Sequence, residues 1–413
     1  MTLEFHKLTA QIEQMGQALA TQKEDLDSKT AIALQIMEAY ADPAFLPHIQ
    51  ERVQDAVDKD AGYRGARPLD EPIMQSFPPA KLPESATIIA TDGSQIFPAT
   101  HGAAFYYLLN IGTMILHHGS GEPPIILSEP YLFYEKEYIQ TGDHMQITNT
   151  TISARRTIAE MSALAENGWS QRSESRPLLC LFDGALLLFP MGQEVADREA
   201  LHDIYLAAMA KLMEVKATLA GYVDRPRSTF IVSMLHLLDT AVEEVSGNKL
   251  STSGRLEGLQ DIRLCEHLLK PAERTALFVQ MSPQNKEFRR DGGESHEIVF
   301  FYMNIAGVNE SPRISRVEIP MWVAKDRKTV AEIQALIYSQ CQQLMSRYPY
   351  ILTRADELAV VKSEESRQLN LLIQVAMTRY GLDTRESSKQ AGKNAARSVK
   401  SRFKIGATQS SGR

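Results

Sequence analysis

Two aspartates stand where an apolar run stops. Residues 86–91 (ATIIAT) end at Asp92-Gly93-Ser94, and residues 178–182 (LLCLF) end at Asp183-Gly184. Each run is short, apolar and closed by a turn pair, which predicts a buried strand. In mixed and parallel sheets ligands gather beyond the carboxyl ends of the strands. If these two strands are neighbours, their terminal carboxylates lie within a few ångströms of each other. Carboxylates that close repel unless a cation sits with them. A site of oxygen ligands alone favours Mg2+ or Mn2+.

A third acid belongs with them by position. Glu160 falls on the helix predicted over 148–167 (TNTTISARRTIAEMSALAEN), just ahead of the second strand and near Arg155 and Arg156. An Asp–Glu–Asp set on strand, helix and strand is the carboxylate arrangement of ribonuclease-H-like nucleases. There metals activate a water and stabilise the leaving oxygen of a phosphodiester. Plainer readings stand beside this one. A lone Asp-Gly after a strand is more often a turn, and a lone helix glutamate is more often a solvated acid. Spacing alone reaches a metal-dependent phosphoester enzyme and stops there.

The elements that must position these residues can be read from periodicity. Residues 105–115 and 124–127 are strand-like, with glycine between them. The helix over 148–167 has Thr or Asn to cap it and Ile152, Ile158, Met161 and Ala165 as its apolar face. A helix over 197–220 follows the second strand, and residues 228–232 (STFIV) read as another strand. Residues 298–305 (IVFFYMNI) and 314–319 (ISRVEI) read as a hairpin, followed by helices over 329–346 and 352–380. Strands, helix, strand, helix, strand predict an α/β fold: a mixed sheet flanked by helices. The first forty residues read as a helix on which Leu8, Ile12, Met15 and Leu19 form a narrow apolar seam. Packing onto the body is its plainer use and a dimer seam its sharper one. Residues 61–85 are rich in Pro and Gly and read as a linker or surface arm. The expected organisation is a helical segment over 1–60, that arm, a domain over 86–380, and a basic tail over 381–413. From Arg385 onward the tail has eight Lys or Arg and one acid, Glu386, and no apolar face, so mobility is expected.

Composition narrows the classes. The 413 residues are 44% hydrophobic and 23% charged, a soluble globular balance, with net charge −7. A generally basic nucleic-acid coat is excluded; a local basic track is not. Cys180, Cys265 and Cys341 lie too far apart for a CxxC motif, which predicts buried free thiols and suits the cytoplasm. No stretch approaches the ~18 apolar residues of a membrane span. HExxH, GxxxxGK[ST] and GxSxG are absent.

Eight stretches occur in a telling order: TIIATDGSQIFP, RRTIAEMSALAE, LCLFDGALLLF, LAGYVDRPRSTFIVSML, LLKPAERTALF, IVFFYMNI, SRVEIPMWVA and RYPYILTRADELAVV. From about residue 85 to about residue 361 the chain thereby resembles the NurA nuclease family. The resemblance implies a ribonuclease-H-like fold, Mn2+-dependent cleavage of DNA, and a homodimer. It also implies work beside the hexameric translocase HerA in DNA end processing and double-strand break repair. By position, Asp92 and Asp183 match the family's metal-binding aspartates and Glu160 the helix glutamate. Many members have a histidine in the last motif; here Asp356 stands in its place. A carboxylate there can still hold a hard cation. A non-catalytic dimeric adaptor of the translocase is the alternative that this departure raises.

Other matched residues suit a DNA path. Arg274 and Arg316 can each grip two phosphate oxygens or form internal ion pairs. Tyr302 can stack on a base or fill the core. Tyr222, with Arg225 and Arg227 beyond it, makes an aromatic-basic group suited to a strand path or to an exposed turn.

Overall fold

The computed structural model describes residues 5–60, 62–98, 104–140, 146–173, 176–187, 195, 197–241 and 254–382. The tail expected to be mobile, from residue 383 on, lies outside the described residues. The strands are β1 (Gly65–Pro68), β2 (Ala86–Ile96), β3 (Tyr107–His118), β4 (Ile125–Phe133), β5 (Leu178–Asp183), β6 (Thr218–Asp224), β7 (Phe278–Met281), β8 (Ile298–Asn304) and β9 (Ile314–Pro320). The helices that matter here are α1 (Thr9–Ala39), α2 (Leu46–Lys59), α3 (Asn149–Ser170), α4 (Arg198–Glu214), α5 (Phe230–Asp239), α6 (Asp261–Leu268), α7 (Arg327–Gln342), α8 (Tyr350–Ala359) and α9 (Ser363–Arg379).

Among the described residues one nine-stranded sheet runs β1-β7-β8-β9-β6-β5-β2-β3-β4. Its second half is the part expected from the sequence. Strands β2, β3 and β4 form an antiparallel meander, and β5 and then β6 add on parallel to β2. Numbered from β2, the spatial order is 3-2-1-4-5 with only the second strand reversed. That is the ribonuclease-H-like arrangement, with helices α3 and α4 in the crossovers. The remaining strands extend the sheet antiparallel beyond β6, and β8 with β9 form the predicted hairpin.

Side chains of β2 and β5 alternate between two cores, as strand geometry demands. Ile89, Cys180 and Phe182 face α3 and α4, where Met161, Leu164, Tyr205 and Leu212 cover them. Ile88, Ala90, Leu179 and Leu181 face the other way, toward Ile351, Leu352 and Ala355 of α8. All three cysteines are free and buried, as expected.

Several expectations fail. The helix predicted through 220 ends at Glu214, because Lys216 takes a positive φ of 55° and turns the chain into β6. The stretch STFIV is not a strand; it leads into α5. That helix starts there because the buried carboxylate of Asp261, far along the chain, accepts the Val232 N–H. The helix predicted over 352–380 is two helices, α8 and α9, separated at residues 360–362. The arm read as a linker contributes β1, which pairs with β7, and buries Tyr63, Ala66 and Ile73. The predicted apolar seam does not pack onto the body: Ile12, Met15 and Leu19 are exposed and Leu8 is half-buried, and α1 is held instead by Thr30, Ala33, Ile36 and Met37 toward its other end.

Candidate functional site

Strands β2 and β5 are in parallel register through Thr91 opposite Phe182, and the next step sets Asp92 beside Asp183. By alternation both leave the sheet on the face covered by α8. That helix lies hard against the sheet. Opposite Asp92 on β3 is Gly112, where a Cβ would come within 2.5 Å of the Ala359 nitrogen and 2.6 Å of the Ala355 oxygen. Only glycine admits the helix so closely. Ser94 and Asn110 then donate to the Ala359 carbonyl, at 2.5 and 2.8 Å, and fix the end of α8. Asp356 sits on this helix, and its charge bears on both Asp92 and Asp183. Just before α8, the Tyr348 hydroxyl donates to Asp183 Oδ1 at 2.5 Å, with its ring edge-on to Tyr222 at 5.4 Å.

Glu160 arrives from the opposite face. Thr91 and Gly93 point toward α3, and the Thr91 hydroxyl donates to the Glu160 carbonyl at 3.0 Å. The absent side chain of Gly93 leaves the opening through which the glutamate reaches β2. A Cβ there would stand 2.6 Å from Glu160 Oε1 and 2.8 Å from Arg156 Cγ. The Asp92-Gly93 pair is not the turn expected from the sequence: β2 runs on through it to Ile96, still paired with β3, and its glycine makes room for the third acid.

The acids feel one another. Burial pushes the Asp92 carboxyl up to about 6, and the charges of Asp183 and Asp356 raise it too, against the Gly93 N–H and Arg156. Burial pushes Glu160 up to about 8; Arg156 opposes the rise, and Asp92 and Asp183 add to it. Asp183 is raised by lost hydration and by Asp356 and Asp224, against the Tyr348 hydrogen bond. Glu160 Oε1 is buried without a hydrogen-bond partner. The Arg156 Nε lies 3.0 Å away, but its N–H is not aligned on that oxygen.

Such a donor set suits a hard divalent cation: carboxylate oxygens, crowded, partly dehydrated and short of positive charge. Among the described residues no three acids, histidines or cysteines close into a ready-made ligand cage. Carboxylates without a cation between them have reason to stay apart. Asp92, Glu160, Asp183 and Asp356 are the residues that would hold the ion.

The structure sets Asp92 and Asp183 on neighbouring strands with Glu160 and Asp356 within electrostatic reach of them, and separates the predicted basic and aromatic residues from them. Arg274 is buried in a bidentate pair with Glu71, at 2.8 and 2.9 Å, under the ring of Phe77. Arg316 is buried against Glu318 at 2.7 Å. Tyr302 is a core residue whose hydroxyl donates to Asp261 at 2.6 Å. For these three the internal alternative is the correct one: apolar burial of a guanidinium demands a carboxylate at hand. Tyr222 is fully buried beneath Tyr348, so the expected aromatic-basic group divides. Arg225 and Arg227 are exposed on the loop leaving β6, at the same sheet end as the acids.

Three residues at the site carried no flag in the sequence. Tyr348 has no motif of its own beyond standing two helical turns before Asp356. Arg156 was visible only as a neighbour of Glu160. Asp224 ends β6 as Asp183 ends β5, but a helix drawn through residue 220 hid that strand. Its Oδ1 is buried without a hydrogen-bond partner.

A family model described as the NurA domain matches residues 86–361. No curated protein matched. Among solved structures, the NurA nuclease from Sulfolobus solfataricus is similar at 14% identity and a TM-score of 0.47, covering 81% of this chain and 92% of that one. Ciona intestinalis endonuclease V, in complex with an inosine-containing DNA, is similar at 12% identity and a TM-score of 0.31, covering 69% and 87%. The catalytic domain of human endonuclease V is similar at 11% and 0.31, covering 82% and 99%.

Proposed function

The chain belongs to the NurA family, and from that premise we propose that it is a metal-dependent deoxyribonuclease that hydrolyses the phosphodiesters of DNA. The observation that carries the reading is the placement of Asp92 beside Asp183 where the parallel pairing of β2 and β5 stops, with the charge of Asp356 bearing on both and their charges bearing on Glu160.

In this reading Asp92, Glu160, Asp183 and Asp356 hold Mn2+, with Mg2+ as the other candidate. When bound, the ion polarises the scissile phosphate and lowers the pKa of the attacking water. The chain's own residues do the rest. The parallel register of β2 and β5 fixes the spacing of Asp92 and Asp183, and α3 delivers Glu160 through the opening at Gly93. Tyr348 orients the Asp183 carboxylate and favours its ionised form, since its hydrogen bond goes to the charged oxygen. Exposed Arg225 and Arg227 are placed to meet phosphates entering from the same sheet end, which would make binding salt-sensitive. Net charge −7 makes this a local track and not a basic exterior.

The family resemblance supports the wider reading: a homodimer in the cytoplasm, acting with a HerA-type hexameric translocase on DNA ends during double-strand break repair. Among the described residues no helix is long and apolar enough to cross a membrane. The test is end-labelled DNA incubated with the protein and Mn2+. Cleavage that is lost in Asp92→Asn and in Asp183→Asn supports the nuclease. Intact DNA under Mn2+ and Mg2+, with and without the translocase, sinks it.

A further inference from the structure

Two adjacent arginines lead into the acidic site from α3, and the structure gives them different work. Arg155 is fully engaged away from the acids. It donates to the Tyr107 hydroxyl at 2.8 Å and to the Tyr138 carbonyl at 2.9 Å, and pairs with Asp197 at 3.2 Å. Arg156 turns the other way. Its stem lies over Gly93, its Nη1 donates to Gln95 Oε1 at 3.0 Å, and its Nε stands 3.0 Å from Glu160 Oε1.

The contact with Glu160 is one of charge and not of alignment. Both Arg156 Nε and Glu160 Oε1 are buried atoms left without a hydrogen bond, although they are within reach of each other. A structural pair in the same fold looks different: Arg274 and Glu71 form two aligned hydrogen bonds. Arg156 is also half-buried and not sealed in, with 32% of its side chain exposed. It is one cation that acts on Asp92, Glu160 and Asp183 alike. A flexible stem, a misaligned pair and an open side together describe a cation that can leave.

We propose that Arg156 is a placeholder cation: it offsets the charge of the acid cluster while no metal is bound, yields Glu160 to the divalent ion, and then grips a phosphate oxygen of the DNA. This rests on the nuclease reading above. A guanidinium suits both tasks, since the fork that faces a carboxylate also fits phosphate.

The experiment compares wild type with Arg156→Gln and Arg156→Lys, using Mn2+ alone in calorimetric titration and labelled DNA with Mn2+ for cleavage. In Arg156→Gln, Mn2+ binds roughly two- to fivefold tighter, the range for a half-exposed charge pair. Cleavage in the same variant falls about ten- to a hundredfold. Arg156→Lys lies between wild type and Arg156→Gln in both. A merely structural arginine moves metal affinity and cleavage down together. The thermal gain on adding Mn2+ is larger in Arg156→Gln than in wild type, because the metal-free form has lost its counter-charge. Mn2+ affinity that is unchanged or weaker overturns the proposal, and so does undiminished cleavage. Should Arg156→Gln not fold, Arg156→Met keeps the stem over Gly93 and carries the same comparison. Wild type that neither binds Mn2+ nor cuts DNA brings down the nuclease reading itself. Wild type that does both, with Arg156→Gln indistinguishable from it, brings down this proposal alone.

Discussion

The hydroxyl of Thr91 donates to the main-chain carbonyl of Glu160 at 3.0 Å and ties the strand that carries Asp92 to the helix that carries the third acid. Thr91 is buried, so no water replaces the bond if it is lost. Thr91→Val keeps the shape and removes the tie. We expect a stability loss of about 1 kcal/mol, with a drop in cleavage larger than that loss explains. Thermal melting and cleavage rates on the same preparation check it. A variant that melts lower but cuts like wild type contradicts the role given to this bond.

Gly93→Ala tests the opening. The added methyl meets Glu160 Oε1 and Arg156 Cγ well inside van der Waals contact, so both side chains must shift. The expected cost is about 1–3 kcal/mol, the scale of a local overpacking, and the third acid is displaced from β2. Cleavage and Mn2+ affinity should both fall while the fold persists by circular dichroism. Wild-type metal affinity in this variant would show that Glu160 does not depend on the gap.

How much of this was open to a reader of the sequence follows from distance along the chain. Asp92 and Asp183 announce themselves because an apolar run and an Asp-Gly pair are local signals. Glu160 follows because a capped helix with an apolar face is local too. The strand that carries Asp224 was lost to a single left-handed residue, Lys216, which no propensity marks. The start of α5 depends on Asp261, 29 positions away, and the fate of Arg274 on Glu71, 203 positions away. Tyr348 meets Asp183 across 165 positions. Pairings of this kind are set by the closed sheet, so the acids were legible and their partners were not.

The pH dependence of stability follows from the raised acids. A carboxyl whose folded pKa exceeds its unfolded value binds its proton more tightly when folded. Its stabilising effect is complete below the ordinary carboxylate range and disappears as pH climbs through the folded value. For Asp92 that value is about 6 and for Glu160 about 8. The metal-free protein should therefore melt progressively lower as pH rises from about 5 to about 8, and saturating Mn2+ should flatten the slope. Glu160→Gln should remove its upper part and raise metal-free stability at the alkaline end. Scanning calorimetry across the range decides. A melting temperature that climbs with pH contradicts the assignment.

The arginines make a paired prediction. Arg274→Ala leaves Glu71 buried and unpaired, which costs about 3–5 kcal/mol, yet should not alter the salt dependence of DNA binding. Substituting Arg225 and Arg227 together by Ala should leave the melting temperature nearly unchanged and make the slope of log affinity against log salt shallower by about 1–2. Binding isotherms at several salt concentrations measure both. The reverse pattern would return Arg274 to the DNA path.

The central claim is that Asp92 and Asp183, side by side where the pairing of β2 and β5 stops, share a divalent ion with Glu160. Its most direct test is a crystal soaked in Mn2+ and measured at the manganese absorption edge. The account predicts an anomalous peak about 2–2.3 Å from carboxylate oxygens of both aspartates, with Glu160 turned from Arg156 toward it. A peak bound elsewhere, or none between Asp92 and Asp183 at saturating Mn2+, contradicts it.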